Sequence, residues 1–192
     1  MYSLPPALPR VGGPVRRAIG RAILRVMGWR FSGDIPNARQ LVIIVAPHTS
    51  NWDFVVGFAA KIALSLRAKY LGKDSLFRAP WGWFFRITGG IPVDRTNSHR
   101  VVEQVVAEFA RRDQMVLALA PEGTRKKVTE WRTGFWHIAR GAGVPIVMVA
   151  FDFGTREIRL GPTLVPGDDL AADMARIRAH FATVRGRNPE NQ

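Results

Sequence analysis

The chain has no cysteine among its 192 residues. Disulfides, thiolate metal sites and cysteine nucleophiles are therefore excluded. Acidic residues are also few: 15 Asp and Glu stand against 28 Lys and Arg, and the formal net charge is +13. A field of this sign attracts polyanions, namely nucleic acid, anionic lipid headgroups or an acidic carrier protein. Charge alone does not choose among these partners.

Long apolar runs are missing as well. The longest, FVVGFAAKIALSL at residues 54–66, contains Lys61 and is shorter than the roughly 20 residues that a membrane-spanning helix needs. Arginines interrupt the apolar residues of the first segment, so we expect no signal peptide there. The sequence also has no Walker A loop, G-x-G-x-x-G or G-x-S-x-G, which argues against a nucleotide-dependent enzyme or an α/β-hydrolase.

Apolar runs and amphipathic segments alternate along the chain. Continuous runs rich in Val and Ile are typical of buried strands, and apolar residues at helical spacing predict helices between them. This alternation predicts a single α/β domain, with a mainly parallel sheet flanked by helices. Strands are expected at residues 41–46, 68–71, 91–93, 115–120 and 144–151, an edge strand at 156–161, and helices at 51–66, after Asn97 or Ser98, and after Asp168 or Asp169.

Residues 1–30 contain several arginines and no acidic residue, and we interpret them as a basic N-terminal arm. From Pro14 the spacing predicts an amphipathic helix suited to lying in the headgroup layer of an anionic membrane. The alternative is a helix packed on the sheet, with its arginines merely solvated. Residues 31–184 would form the main domain and residues 185–192 a flexible tail. The apolar face would hold Val15, Ala18, Ile19, Ala22, Ile23, Val26 and Trp29, and the basic face Arg17, Arg21 and Arg25.

His48 lies two residues beyond the first strong strand, in the stretch APHTSNWDF. A cap at the following residues places Asp53 in the first turn of the next helix, where the helix dipole favours an ionised carboxylate. Asp53 can then accept the Nδ1 proton of His48 and leave Nε2 free to take a proton from a substrate. The alternative is that both residues are ordinary cap residues.

A second polar cluster, LALAPEGTRKK at residues 117–127, also follows a predicted buried strand. Gly123 allows close approach of the backbone to an anion, Thr124 can hydrogen-bond it, and Arg125 can bind it through two donors. Upstream, GGIPVDR places Arg95 just past another short strand. Ligands bind at the carboxyl ends of parallel strands, so these cations would converge near His48. Taken alone, each cluster is also typical of a solvated basic loop.

Four segments, HTSNWD, GGIPVDR, PEGTR and VPIVMV, occur in this order. They resemble the four sequence blocks of the glycerolipid acyltransferases, and FRAPWGWFF resembles that family's Pro–Gly–Trp region. The resemblance runs from about residue 41 to residue 151. It departs from the pattern at Lys126, where a serine is usual, and at Pro47 and Met148. Because the third block is implicated in acceptor binding, the identity of the acceptor stays open.

The resemblance implies an O-acyltransferase that moves a fatty acyl group from acyl-CoA or acyl carrier protein to the hydroxyl of a lysophospholipid such as 1-acylglycerol-3-phosphate. His48 would deprotonate that hydroxyl, and Asp53 would orient the imidazole and stabilise its cation. Beyond the thioester co-substrate, no cofactor, metal or covalent enzyme intermediate is required. We expect the protein in the cytoplasm, bound peripherally to the membrane. The residues expected to position the acceptor headgroup are Arg95, Glu122, Gly123, Thr124 and Arg125.

Two other interpretations stay open. The first keeps the chemistry and changes the acceptor to a lipid without phosphate, such as a glycolipid or an aminolipid. The second is a non-enzymatic basic protein that binds nucleic acid, for which salt-sensitive binding would survive the loss of His48. The acyltransferase interpretation expects no nucleic-acid partner. His99, His137 and His180 are not spaced as metal ligands, so no metal site is predicted.

Overall fold

One seven-stranded sheet organises the protein, whose computed structural model describes residues 2–78, 80–93 and 98–192. Its order is β1-β7-β6-β2-β5-β3-β4. β6 and β7 pair antiparallel, and the other neighbouring pairs are parallel, which confirms the predicted mainly parallel sheet. The strands are β1 (Arg30–Gly33), β2 (Gln40–Ala46), β3 (Ala68–Lys73), β4 (Gly90–Val93), β5 (Met115–Leu119), β6 (Ile146–Asp152) and β7 (Glu157–Leu164).

Alternate side chains of the sheet enter two apolar cores, one on each face. In β2, Leu41 and Ile43 belong to the core that includes residues of α2, while Val42 and Ile44 belong to the core that includes residues of α4, α5 and α6. Each fully buried Val, Leu or Ile stabilises the fold by roughly 1.5–3 kcal/mol. Burial on both faces explains the continuous apolar run. The helices are α1 (Pro14–Val26), α2 (Trp52–Ala63), α3 (Gly82–Ile87), α4 (Ser98–Ala110), α5 (Gly134–Ala142) and α6 (Leu170–Phe181).

The prediction of an edge strand at residues 156–161 is wrong. β7 lies inside the sheet, because β1 pairs with it in parallel on its outer side, from Arg30 opposite Glu157 to Gly33 opposite Leu160. β1 has only four residues, and both of its ends are exposed. A strand this short and polar carries no periodicity that sequence inspection can detect.

The N-terminal helix α1 packs against α2 and turns its apolar face away from the domain. The contact is close at Gly20, where a Cβ atom would lie 2.4 Å from the backbone nitrogen of Ala63. Leu24 is buried one turn further on, while Ile19 is 53% and Val26 is 87% exposed. Trp29, expected on the same apolar face, instead lies beyond the end of α1 and is buried.

The C-terminal residues return to the loop that follows β2. Asp169 caps α6, as expected, by accepting a hydrogen bond from the backbone N–H of Ala172 over 3.0 Å. Residues 185–192, expected to be a flexible tail, include a short 3-10 helix, Pro189–Asn191, and hydrogen bonds to Thr49. The division into arm, domain and tail stays a prediction.

Candidate active site

The candidate site lies at the carboxyl ends of β2 and β5, which are neighbouring parallel strands. Their register pairs Ile44 with Leu119, so the loops that follow leave the sheet at the same edge. The first loop carries His48 and leads into α2, and the second carries Glu122. This is the edge at which ligands bind in parallel sheets.

The structure brings His48 and Asp53 together. His48 Nδ1 lies 3.1 Å from Asp53 Oδ2, and the side chains are 23% and 1% exposed, respectively. Asp53 is in the first turn of α2, and its Oδ2 also accepts a hydrogen bond from the backbone N–H of Ser50 over 2.8 Å. The contact occupies Nδ1 and leaves Nε2 as the nitrogen available for proton transfer.

The second carboxylate oxygen of Asp53 is buried and has no hydrogen-bond partner among the described residues. Burying an unpaired charged oxygen costs free energy. A positive charge on the neighbouring imidazole offsets that cost, and so does the positive end of the α2 dipole. The arrangement is therefore suited to stabilising His48 when its imidazole takes up a proton.

Glu122 contacts the backbone of the histidine loop. Its Oε2 accepts a hydrogen bond from the backbone N–H of His48 over 2.7 Å, and the residue is buried. Burial raises the pKa of Glu122 to about 7, although the bond from His48 opposes this shift. Glu122 therefore joins the β5 loop to the β2 loop. Its expected contact with an acceptor headgroup stays a prediction.

Among the described residues of the predicted anion site, Glu122 is hydrogen-bonded to His48, and Gly123, Thr124 and Arg125 are not. Gly123 has φ +67°, a left-handed conformation that favours glycine, and a Cβ there would lie 2.8 Å from Arg132 Nε. Thr124 Oγ1 accepts a hydrogen bond from the backbone N–H of Lys126 over 3.3 Å, and the side chain of Arg125 is exposed. Arg95 lies outside the described residues.

A family model described as Acyltransferase matches residues 30–152. The chain belongs to the acyltransferase family. The matched segment begins at β1, ends with β6, and contains both loops of the site. The resemblance to glycerolipid acyltransferases is thereby confirmed, and the relatives agree with it.

Two curated relatives share the same name. The 1-acyl-sn-glycerol-3-phosphate acyltransferase of Escherichia coli is 32% identical over 125 residues, which are 62% of this chain and 49% of that protein. The Haemophilus influenzae protein of that name is 30% identical over 158 residues, which are 77% of this chain and 64% of that protein. The chain thus spans between about half and two thirds of the length of these acyltransferases.

A solved structure has a similar fold. The crystal structure of the 1-acyl-sn-glycerophosphate (LPA) acyltransferase PlsC from Thermotoga maritima superposes with a TM-score of 0.63 at 16% sequence identity. The match covers 87% of this chain and 75% of that chain. At this identity the likeness concerns the fold, and it extends beyond the segment that the acyltransferase family model matches.

Sequence inspection missed two residues beside the site. Asn188 donates two hydrogen bonds to Thr49, the residue after His48, although 139 positions separate them in the sequence. Arg132 lies against Gly123, and its backbone N–H donates to Pro121 O over 2.8 Å. Asn188 belongs to none of the four acyltransferase segments and follows the matched residues, so no pattern indicated it.

Proposed function

We propose that the protein transfers a fatty acyl group from a thioester to the free hydroxyl of a lysophospholipid, with 1-acylglycerol-3-phosphate as the acceptor. The observation that carries the proposal is the contact between His48 Nδ1 and Asp53 Oδ2 at an edge of the sheet where substrates bind. The names of the E. coli and H. influenzae relatives support the choice of acceptor.

In the proposed reaction, Nε2 of His48 removes the proton from the acceptor hydroxyl. The oxygen attacks the thioester carbonyl and forms a tetrahedral intermediate. Its collapse breaks the carbon–sulfur bond, and the departing thiolate takes the proton back from His48. Throughout the reaction Asp53 accepts the hydrogen bond from Nδ1–H of His48 and stabilises the imidazolium. The acyl group ends on the lipid as an ester, and His48 returns to its neutral state.

The acceptor headgroup would bind to the cationic loop after β5. Arg125 is exposed at this edge, and a guanidinium can grip a phosphate through two parallel N–H donors. Thr124, the N–H groups around Gly123, and Arg95 would add further contacts. The donor would be acyl-CoA or acyl carrier protein, both of which are acidic and suit a chain with a net charge of +13.

We further propose that the protein attaches peripherally to the cytoplasmic face of an anionic membrane through α1. The outward apolar face of this helix supports the proposal, since Ile19 and Val26 are exposed, and so is Arg25. Trp81 and Trp83 at the start of α3 are exposed too, and tryptophan favours the lipid–water interface. Among the helices that the structure describes, none is long and apolar enough to span a bilayer.

A panel assay tests the proposed function. The purified protein is offered labelled acyl-CoA and acyl carrier protein with 1-acylglycerol-3-phosphate, with other lysophospholipids, and with lipid acceptors that lack phosphate. We expect His48-dependent acylation of 1-acylglycerol-3-phosphate. Preference for an acceptor without phosphate would contradict the proposed acceptor but not the proposed acyl-transfer reaction. If no lipid is acylated, and salt-sensitive nucleic-acid binding persists in His48→Ala, the enzyme proposal is wrong.

A further inference from the structure

Thr49, the residue after His48, is held by residues 184–192, the C-terminal segment. The backbone N–H of Asn188 donates to Thr49 Oγ1 over 3.1 Å, and Asn188 Nδ2 donates to the backbone oxygen of Thr49 over 3.2 Å. Thr49 is only 2% exposed. One residue therefore satisfies both the side-chain and the backbone acceptor of Thr49, and it fixes the backbone directly after His48.

The chain around Asn188 packs directly against the same loop. A Cβ atom at Gly186 would lie 2.9 Å from Thr49 Oγ1 and 3.2 Å from Pro47 Cγ, so only glycine fits there without displacement. Pro47 and Thr49 flank His48 in the sequence. The segment thus touches the loop on both sides of the histidine.

One backbone bond ties the segment to the residue after β6, and two further bonds close the segment on itself. The backbone N–H of Phe153 donates to Arg185 O over 2.9 Å. Gln192 Oε1 accepts from the backbone N–H of Gly186 over 3.1 Å, and Gln192 Nε2 donates to Val184 O over 2.7 Å. These bonds close residues 184–192 into a compact turn, so Asn188 has a fixed support from which to hold Thr49.

We propose that Asn188 is a positioning residue for His48, acting through Thr49. The proposal rests on the acyl-transfer function proposed above. Glu122 holds the backbone N–H of His48 from one loop, and Asn188 holds the next residue from the C-terminal segment. Together these two contacts fix the position of the His48 imidazole relative to Asp53. A displacement of about 1 Å can lower a rate by about a hundredfold, so the support matters for turnover.

Four variants separate positioning from general stability. Asn188→Asp keeps the shape and the backbone donor but places an oxygen against the oxygen of Thr49. Thr49→Val removes the acceptor for the Asn188 N–H at nearly constant volume, and Thr49→Ser keeps a hydroxyl there. Glu190→Gln, in the same segment and exposed, is the matched control. Thermal unfolding of each protein shows whether the fold is retained.

The kinetic readout is the division between kcat and KM. We expect Asn188→Asp and Thr49→Val to lower kcat by roughly tenfold to a hundredfold, with KM for both substrates within about twofold of the wild type. Thr49→Ser and Glu190→Gln should keep the wild-type kcat. Unchanged kcat in folded Asn188→Asp and Thr49→Val would overturn the proposal, as would a loss confined to KM.

A second readout needs no turnover and separates the two proposals. In ¹⁵N-labelled protein, the imidazole signals of His48 are assigned by their disappearance in His48→Ala. We expect these signals to shift or broaden in Asn188→Asp and Thr49→Val, and to stay unchanged in Glu190→Gln. Unchanged His48 signals in all variants would overturn the positioning role, whatever the activity. If the signals shift but the protein acylates no lipid, the effect of Asn188 on His48 stands and the proposed acyl-transfer function is wrong.

Discussion

The backbone N–H of His48 donates a hydrogen bond to Glu122 Oε2 over 2.7 Å, and so joins the first and third sequence blocks of the family at one edge of the sheet. The two residues are 74 positions apart. Burial raises the pKa of Glu122 to about 7, and the nearby charge of Asp53 acts in the same direction. The bond therefore places a carboxyl group that titrates near neutral pH against the backbone of the proposed general base.

The raised pKa of Glu122 predicts how stability changes with pH. The ordinary pKa is 4.5, so between pH 4.5 and 7 the unfolded chain has lost the proton that the folded chain keeps. The free energy of unfolding then falls as pH rises through this window and levels off above it. The fall amounts to up to about 3 kcal/mol, since one pH unit corresponds to about 1.4 kcal/mol.

Glu122→Gln tests this prediction by urea unfolding from pH 4.5 to 8. Glutamine keeps an oxygen acceptor for the His48 N–H but does not titrate. We expect the wild type to lose stability relative to the variant as pH rises to 7. A constant difference between the wild type and Glu122→Gln at every pH would contradict the raised pKa.

Asp53→Asn should reduce acyl transfer by a factor of roughly 10² to 10⁴. An amide can donate to Nδ1, which moves the imidazole proton to Nε2 and removes the base. The lost carboxylate also no longer stabilises the imidazolium. The measurement is kcat with labelled donor, together with circular dichroism to confirm the fold. Asp74→Asn, at an exposed carboxylate, should leave kcat unchanged. Full activity of folded Asp53→Asn would show that the His48–Asp53 contact is not used.

Arg125→Ala should raise KM for the phosphate-bearing acceptor more than KM for the donor. Arg125→Lys should restore this loss only in part, because lysine lacks the planar pair of donors. Lys127→Ala, at an exposed cation of the same loop, controls for the change of net charge. Steady-state kinetics with acceptors that carry or lack phosphate provide the measurement. Equal losses with both acceptors would remove Arg125 from the headgroup site.

The exposed face of α1 predicts binding to anionic vesicles that weakens with salt. Changing Ile19 and Val26 to Ser should reduce binding without unfolding, because both side chains point away from the domain. Changing Arg25, which is exposed, to Gln should weaken binding as well, by about 1 kcal/mol for one charge near the surface. Vesicle sedimentation measures both effects. A wild-type protein that ignores anionic vesicles at low salt would leave α1 with a structural role only.

The central strands were predictable because burial on both faces requires continuous apolar runs, as in β2. β1 was not, since its four residues have no pattern and its place is set by pairing with β7. The meeting of His48 with the β5 loop followed from parallel strands ending at one edge. The contact of Glu122 with the His48 backbone could not be predicted from the sequence, because it depends on the conformation of the two loops. The contact of Asn188 with Thr49 could not be predicted either, because the two residues are 139 positions apart.

The most direct test of the proposed mechanism is the rate of acyl transfer to 1-acylglycerol-3-phosphate by His48→Ala. Circular dichroism and thermal unfolding confirm the fold in parallel, and His137→Ala is the matched control. Removal of the general base should lower kcat by a factor of about 10² to 10⁴, while binding to lipid vesicles persists and His137→Ala stays active. A folded His48→Ala protein that transfers acyl groups at the wild-type rate would contradict the mechanism.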